Sequence, residues 1–202
     1  MHQFTRGKAP VNFTKIKHRH VIWNDFISSS EHIAVGDYLY ERQGHYCAYC
    51  EVYLHDRQDG FIEHLEKRSD NPQRTFDWNN LFFSCRHLDS CGIYKDNMVY
   101  DIHDIIDPSV DDPLDFFTYD SEGFIHPKKG LSKSMKHKAE ETIRVFNLNC
   151  PRLKQIRKDA ASIVSYFRND NPNPCPDTVS AFYELLGDKA DCISVYHALL
   201  MK

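Results

Sequence analysis

Two pairs of cysteines constrain this chain more than any other feature. Cys47-Ala48-Tyr49-Cys50 is a C-x-x-C, and Cys85 and Cys91 follow with five residues between them. A tight turn lets both thiolates of a C-x-x-C reach one ion, and a second pair completes a tetrahedral shell of four sulfurs. The second spacing is wider than the usual two to four or so residues, so Arg86-His87-Leu88-Asp89-Ser90 must bulge as a larger knuckle. Three other uses stay open at this level. A redox C-x-x-C wants a strand before it and a helix after, whereas Glu51-Val52-Tyr53-Leu54 alternates like a strand. His87 can replace one cysteine in a Cys₃His set, and the four can be unrelated buried thiols. Cys150, Cys175 and Cys192 read as core or surface thiols, and an odd total of seven cysteines does not make a complete disulfide framework.

The 202 residues, 41% hydrophobic and 27% charged, suffice for one domain, or for a small core with a helical extension. No apolar run approaches the roughly 18 residues of a membrane span. Met1 to Lys8 has no apolar stretch of a secretory signal, so a reducing cytoplasm, where close cysteines bind metal, is the expected compartment. The net charge of −4 is unlike a stand-alone DNA-binding domain. It is segregated, however: Lys15–His20 and Lys128–Lys138 are basic, and Asp101–Glu122 carries acidic residues with no Lys or Arg. A solvated face is the plain alternative for each basic run.

The pattern along the chain predicts a helix-rich α+β protein in three segments. Residues 1–45 read as an arm leading to a short helix at Val21–Phe26, then a helical or turn-rich stretch closed by Gly44. Residues 46–130 are dense in Cys, His and aromatics; their second half is irregular, with a short hairpin of Phe116–Tyr119 and Phe124-Ile125 turning at Ser121-Glu122-Gly123. Residues 131–202 form a helical region. Met135, Ala139, Thr142-Ile143 and Phe146 make one core stripe, after a Ser132 or Ser134 cap. Leu153, Ile156, Ala160, Ile163-Val164 and Phe167 make a second, opened by Pro151. A linker at 171–176 precedes helices at Asp177–Leu186 and Asp188–Met201.

Between the cysteine pairs lie Phe61-Ile62-Glu63-His64 and Trp78-Asn79-Asn80-Leu81-Phe82-Phe83-Ser84-Cys85, with Lys95 four residues beyond Cys91. An acidic residue beside histidine suits phosphodiester hydrolysis, since an imidazole of pKa near 6.5 accepts a proton from water at neutral pH. Read alone, His64 is by default a satisfied core histidine; the flanking cysteine frame is what argues otherwise. The order C-x-x-C, Glu-His, Asn-Leu, Cys, Cys, Lys resembles the HNH endonuclease motif. Within that family it is most similar to the PtuB nuclease subunits of Septu-type and retron-associated anti-phage systems. Further residues carry the likeness: Arg6-Gly7-Lys8-Ala9-Pro10, Cys91-Gly92-Ile93-Tyr94-Lys95, Asp107-Pro108 with Asp112-Pro113, and Thr142-Ile143, Leu148-Asn149, Leu153 and Arg157.

The resemblance implies a ββα-metal core over 46–130, zinc on Cys47, Cys50, Cys85 and Cys91, and a catalytic Mg²⁺ or Mn²⁺ bound by Glu63. His64 is the implied general base. Asn80, or less simply Asn79, orients the imidazole through its side-chain oxygen, and Lys95 contacts phosphate. The family often has His or Asn as a metal ligand where this chain has Gly92. Were a helix to start there, Asp96 would share its face and serve instead, with Asn97 behind it. The proline usual after the Glu-His step is replaced by Leu65. The implied substrate is DNA, or RNA including tRNA. The implied partners are a PtuA-type ATPase resembling ABC/SMC proteins, docked on the helical region, and a retron reverse transcriptase with its RNA–DNA product; no membrane is involved. The competing expectation is a zinc module that binds nucleic acid or protein without chemistry, and Gly92 speaks for it.

Overall fold

The computed structural model describes residues 1, 3–10, 13, 16, 22–187 and 190–200. It is helix-rich α+β with two small sheets. Helix α1 spans Trp23–Ile27 and α2 Ser30–Arg42. The Ser29 hydroxyl caps α2 by accepting the His32 N–H at 3.2 Å, and Gly44 follows at φ 61°, where a side chain would be strained. Val21, most of the Lys15–His20 run, and Asp188, Lys189 and Met201 lie outside the described residues.

Strand β1 (Gly60–His64) pairs antiparallel with β2 (Leu81–Cys85), Glu63 standing opposite Phe82 and His64 opposite Leu81. Every residue of β2 is buried, which explains its unbroken apolar run. Helix α3 (Cys91–Lys95) follows directly. Glu51–Leu54 does not become a strand: among the described residues it pairs through an isolated bridge between Tyr46 and Tyr53, and no named strand lies beside it.

Helix α4 (Pro113–Phe116), capped by Asp112, leads into the hairpin of β3 (Phe117–Tyr119) and β4 (Ile125–Pro127). Four helices follow among the described residues: α5 (Lys133–Val145), α6 (Pro151–Asp170), α7 (Pro176–Leu186) and α8 (Ile193–Leu200). The Ser132 hydroxyl accepts the Met135 N–H, and Pro151 opens α6 as expected. Ala139, Thr142, Phe146, Leu153, Ala160 and Val164 are buried, while Ile163 turns outward.

Two buried arginines tie distant segments to the core. Arg157 of α6 donates to the carbonyls of Gly123 and Leu148, and the Asn149 amide brackets Ile125 with two bonds of 3.0 Å. Arg6 donates to the carbonyls of Trp78 and Leu81 and lies 4.2 Å from the Phe82 ring centroid, fastening the N-terminal arm at the start of β2. The last residues pack on the first cysteine turn: Cys192 N–H donates to Glu51 O at 2.9 Å, and Tyr53 N–H to Asp191 Oδ1 at 2.6 Å.

Candidate active site and metal centre

The two cysteine turns meet at one end of the β1–β2 pair. Cys47, Cys50, Cys85 and Cys91 are all buried, and their sulfurs lie within 4.8 Å of one another, with Cys50 and Cys85 Sγ 3.9 Å apart. An ion about 2.3 Å from each of four tetrahedral sulfurs spaces them about 3.8 Å apart, so the donor set and its dimensions fit zinc. Glu51 and Cys91 both adopt left-handed backbone, φ 58° and 59°, which sharpens the two turns. Cys85 N–H donates to Cys47 Sγ at 3.4 Å. His87 is exposed on the bulge and takes no part. Among the described residues this is the sole group of three or more potential metal donors that converge.

Strand alternation sends Glu63 and His64 to opposite sides of β1. His64, 7% exposed, packs its ring at 4.4 Å from that of Trp23, and Nε2 lies 2.9 Å from the carbonyl oxygen of Thr75. A carbonyl only accepts, so Nε2 carries the proton and Nδ1 keeps its lone pair. Burial is the main force lowering the imidazole pKa to about 4, against the opposing bond from Thr75. The ring is therefore neutral at physiological pH.

Asn80 is buried but does not reach the imidazole. Its Oδ1 accepts the Glu66 N–H at 2.8 Å, and its Nδ2 donates to the carbonyls of Glu66 and Arg74 at 3.0 and 3.2 Å. The amide thus clamps both ends of the 66–74 loop, and Thr75 at the end of that loop holds the histidine. Asn79 is exposed.

Glu63 lies almost wholly buried between Tyr49, whose hydroxyl donates to Oε2, and Lys95, whose Nζ is 2.8 Å from Oε1. Burial raises its pKa, opposed by Lys95 and Tyr49. A Cβ on Gly92 would fall 2.3 Å from Glu63 Cγ, so the glycine makes room for the folded carboxylate. Lys95 has no exposed side-chain surface and also pairs with Asp96 Oδ1 at 2.8 Å, so its ammonium is not presented to a phosphate. The helix expected at Gly92 is present, starting one residue earlier, and Asp96 caps its end with a half-exposed carboxylate.

A cavity of about 620 Å³ opens beside His64, with Trp23, Phe61, Arg68, Arg86 and Asp96 in its walls. Arg68 lies over the Trp23 ring at 5.1 Å and Arg86 over Phe61 at 5.7 Å, so aromatic faces hold both guanidinium groups at the cleft. Trp23, Arg68 and Arg86 escaped the sequence reading. An Arg flanking each motif was the available signal, but the pairing with aromatic residues is set only by the fold.

No protein-family model matches the chain. A protein of Vibrio cholerae serotype O1 biovar El Tor, named "Retron Vc95 putative HNH endonuclease", is 30% identical over 159 residues, 73% of this chain and 74% of that relative. The chain belongs to the HNH endonuclease family. Among the described residues no helix is long and apolar enough to cross a membrane.

Proposed function

We propose that the chain hydrolyses nucleic-acid phosphodiester bonds in the cleft walled by His64, Arg68 and Arg86, with β1, β2 and α3 as a ββα core of the HNH type inside a nuclease segment of residues 46–130. The observation that carries this reading is the single tautomer of His64, its Nε2 proton committed to Thr75 and its Nδ1 left basic. The oxygen of a water attacks phosphorus while its proton passes to Nδ1. The bond from phosphorus to the leaving oxygen breaks, and that oxygen takes a proton from solvent. Arg68 and Arg86 meet the charge that builds on the phosphate oxygens. Zinc on the four cysteines would be structural in this reading: it would tie the first turn to the end of β2 and the start of α3, and so seat Glu63 against the helix. A Mg²⁺ or Mn²⁺ ion between Glu63 and Asp96 would meet the buried Lys95 ammonium, 2.8 Å from one oxygen of each, so the arrangement does not fit that ion.

The retron in the relative's name supports a finer assignment, to the PtuB-like effectors of anti-phage systems. Such an effector works in the cytoplasm with an ABC/SMC-like ATPase and a retron reverse transcriptase carrying its RNA–DNA product. The net charge of −4 is in keeping with a nuclease that borrows nucleic-acid affinity from partners. The cleft residues recognise phosphate rather than a base, so DNA and RNA, tRNA included, are both substrates to test.

A second reading, a zinc module without chemistry, is favoured by Gly92, which supplies no ligand. The deciding measurement is cleavage of duplex DNA, single-stranded DNA and tRNA by wild type and His64→Ala, each co-expressed with the proposed partners. Cleavage that survives His64→Ala unchanged would overturn the catalytic assignment.

A further inference from the structure

The carboxylates on which the resemblance places a divalent ion already share a cation. Lys95 Nζ stands 2.8 Å from Glu63 Oε1, 2.8 Å from Asp96 Oδ1 and 3.2 Å from Tyr100 Oη, with no exposed side-chain surface. Of the three N–H donors of the ammonium, one goes to Asp96 Oδ1 and one to Tyr100 Oη, and Glu63 Oε1 is held by charge in an ion pair. We propose that Lys95 is the resident cation of this site, holding the place between Glu63 and Asp96 that a divalent metal takes in a metal-dependent nuclease. The inference rests on the nuclease reading for its functional sense, but its geometry stands independently.

Several observations converge on it. The second oxygen of Glu63 accepts the Tyr49 hydroxyl, while Oε1 accepts no hydrogen bond and has the Lys95 ammonium 2.8 Å away, so an ion approaching Oε1 meets that positive charge first. Glu63 Cγ fills the space where a side chain at position 92 would stand, and no ligand reaches in from the first turn of α3. The lysine–carboxylate separations of 2.8 Å are those of close charge-assisted contacts. Burial works against the charge on Lys95, but Glu63, Tyr100 and Asp96 together hold its pKa above that of an ordinary lysine, so the charge is not given up easily. A doubly charged ion placed a few ångströms from a buried ammonium meets strong repulsion. Entry of the ion therefore requires the lysine to leave.

The role that follows for Lys95 is positioning. Shielded from the cleft, it neutralises Glu63 and fixes Asp96 at the cleft wall. Countering the phosphate charge then falls to Arg68 and Arg86, the guanidinium groups that do face the cavity. The cleft works with cations the chain supplies.

The test is binding of Mn²⁺ to the full-length, zinc-loaded protein, followed by the loss of the free-ion electron paramagnetic resonance signal. Wild type is expected to show no Mn²⁺ binding that depends on Glu63. Lys95→Ala, with Lys95→Met as a second variant should the first not fold, is expected to gain binding by about a hundredfold or more, and adding Glu63→Gln should remove that gain. Stoichiometric Mn²⁺ on wild type that vanishes with Glu63→Gln overturns the proposal. So does a folded Lys95 variant that gains nothing. Cleavage in chelator, with zinc content checked, is a separate arm expected to persist. A protein inactive under every condition would count against the nuclease reading, while the Mn²⁺ titration would still decide the role of Lys95.

Discussion

His64 and Thr75 are joined by a hydrogen bond of 2.9 Å from the imidazole Nε2 to a backbone carbonyl, and this bond settles which nitrogen of the ring is basic. General acid–base catalysis contributes about 100- to 10,000-fold, so His64→Ala is expected to lower the cleavage rate by that range. His64→Asn should be similarly impaired, since it lacks a basic nitrogen. Single-turnover rates on one substrate check this.

The low pKa of His64 has two pH signatures. The base form is present above about pH 4, so the acid limb of the rate should fall there and not near 6.5. Stability follows a related window. Above 6.5 the ring is neutral whether folded or unfolded; between 6.5 and about 4 the unfolded chain binds a proton that the folded chain does not. Stability is thus lost as pH falls through that interval, by at most about 3 kcal/mol. Urea unfolding of wild type and His64→Asn at pH 7 and pH 4.5 isolates the effect: wild type alone should lose this increment.

Asn80→Ala removes three hydrogen bonds to the loop backbone at Glu66 and Arg74. A fully buried backbone group left unpaired costs about 1–3 kcal/mol; these three are only partly buried and water can reach them, so a smaller total of about 2–4 kcal/mol is expected in denaturant melts. The Thr75 carbonyl should loosen with the loop, lowering the turnover rate more than substrate affinity.

Replacing Cys47 or Cys85 by Ser should abolish the bound zinc and unfold the chain. Structural zinc sites contribute on the order of 10 kcal/mol of binding energy, comparable to the whole stability of a domain. Metal analysis beside far-ultraviolet circular dichroism reads both outcomes.

Gly123→Ala should destabilise without touching the cleft. The glycine sits at φ 82°, and a Cβ there would lie 2.0 Å from the Lys154 carbonyl oxygen. A loss of about 2–4 kcal/mol in thermal melts is expected, with the rate per folded molecule unchanged.

The parts of this architecture legible in the sequence are those governed by local spacing. The C-x-x-C turn, the Ser132 cap, the Pro151 start and the turn at Gly123 depend on a few adjacent residues. The Glu63–His64 step stood out because cysteine pairs bracket it. What escaped depends on partners far along the chain. Asn80 was expected at the imidazole, yet its amide found the loop of residues 66–74, and no pattern near Asn80 records where that loop closes. Trp23 meets His64 from 41 positions upstream. Alternation in Glu51–Leu54 promised a strand, but a strand needs a neighbour, and among the described residues only Tyr46 offered one. Ile163 fits the stripe of its helix yet faces outward, since the packed surface of α6 is narrower than its apolar pattern.

The contact between Gly92 and Glu63 also limits how this centre can change over generations. A histidine or asparagine at position 92 would put its Cβ 2.3 Å from Glu63 Cγ, so that exchange alone forces the carboxylate to shift. A ligand could stand there only after Glu63 had been shortened or swung aside, which in turn strands the charge of Lys95. The glycine, the carboxylate and the lysine are thus bound to one another, and an exchange at any of the three disturbs the other two.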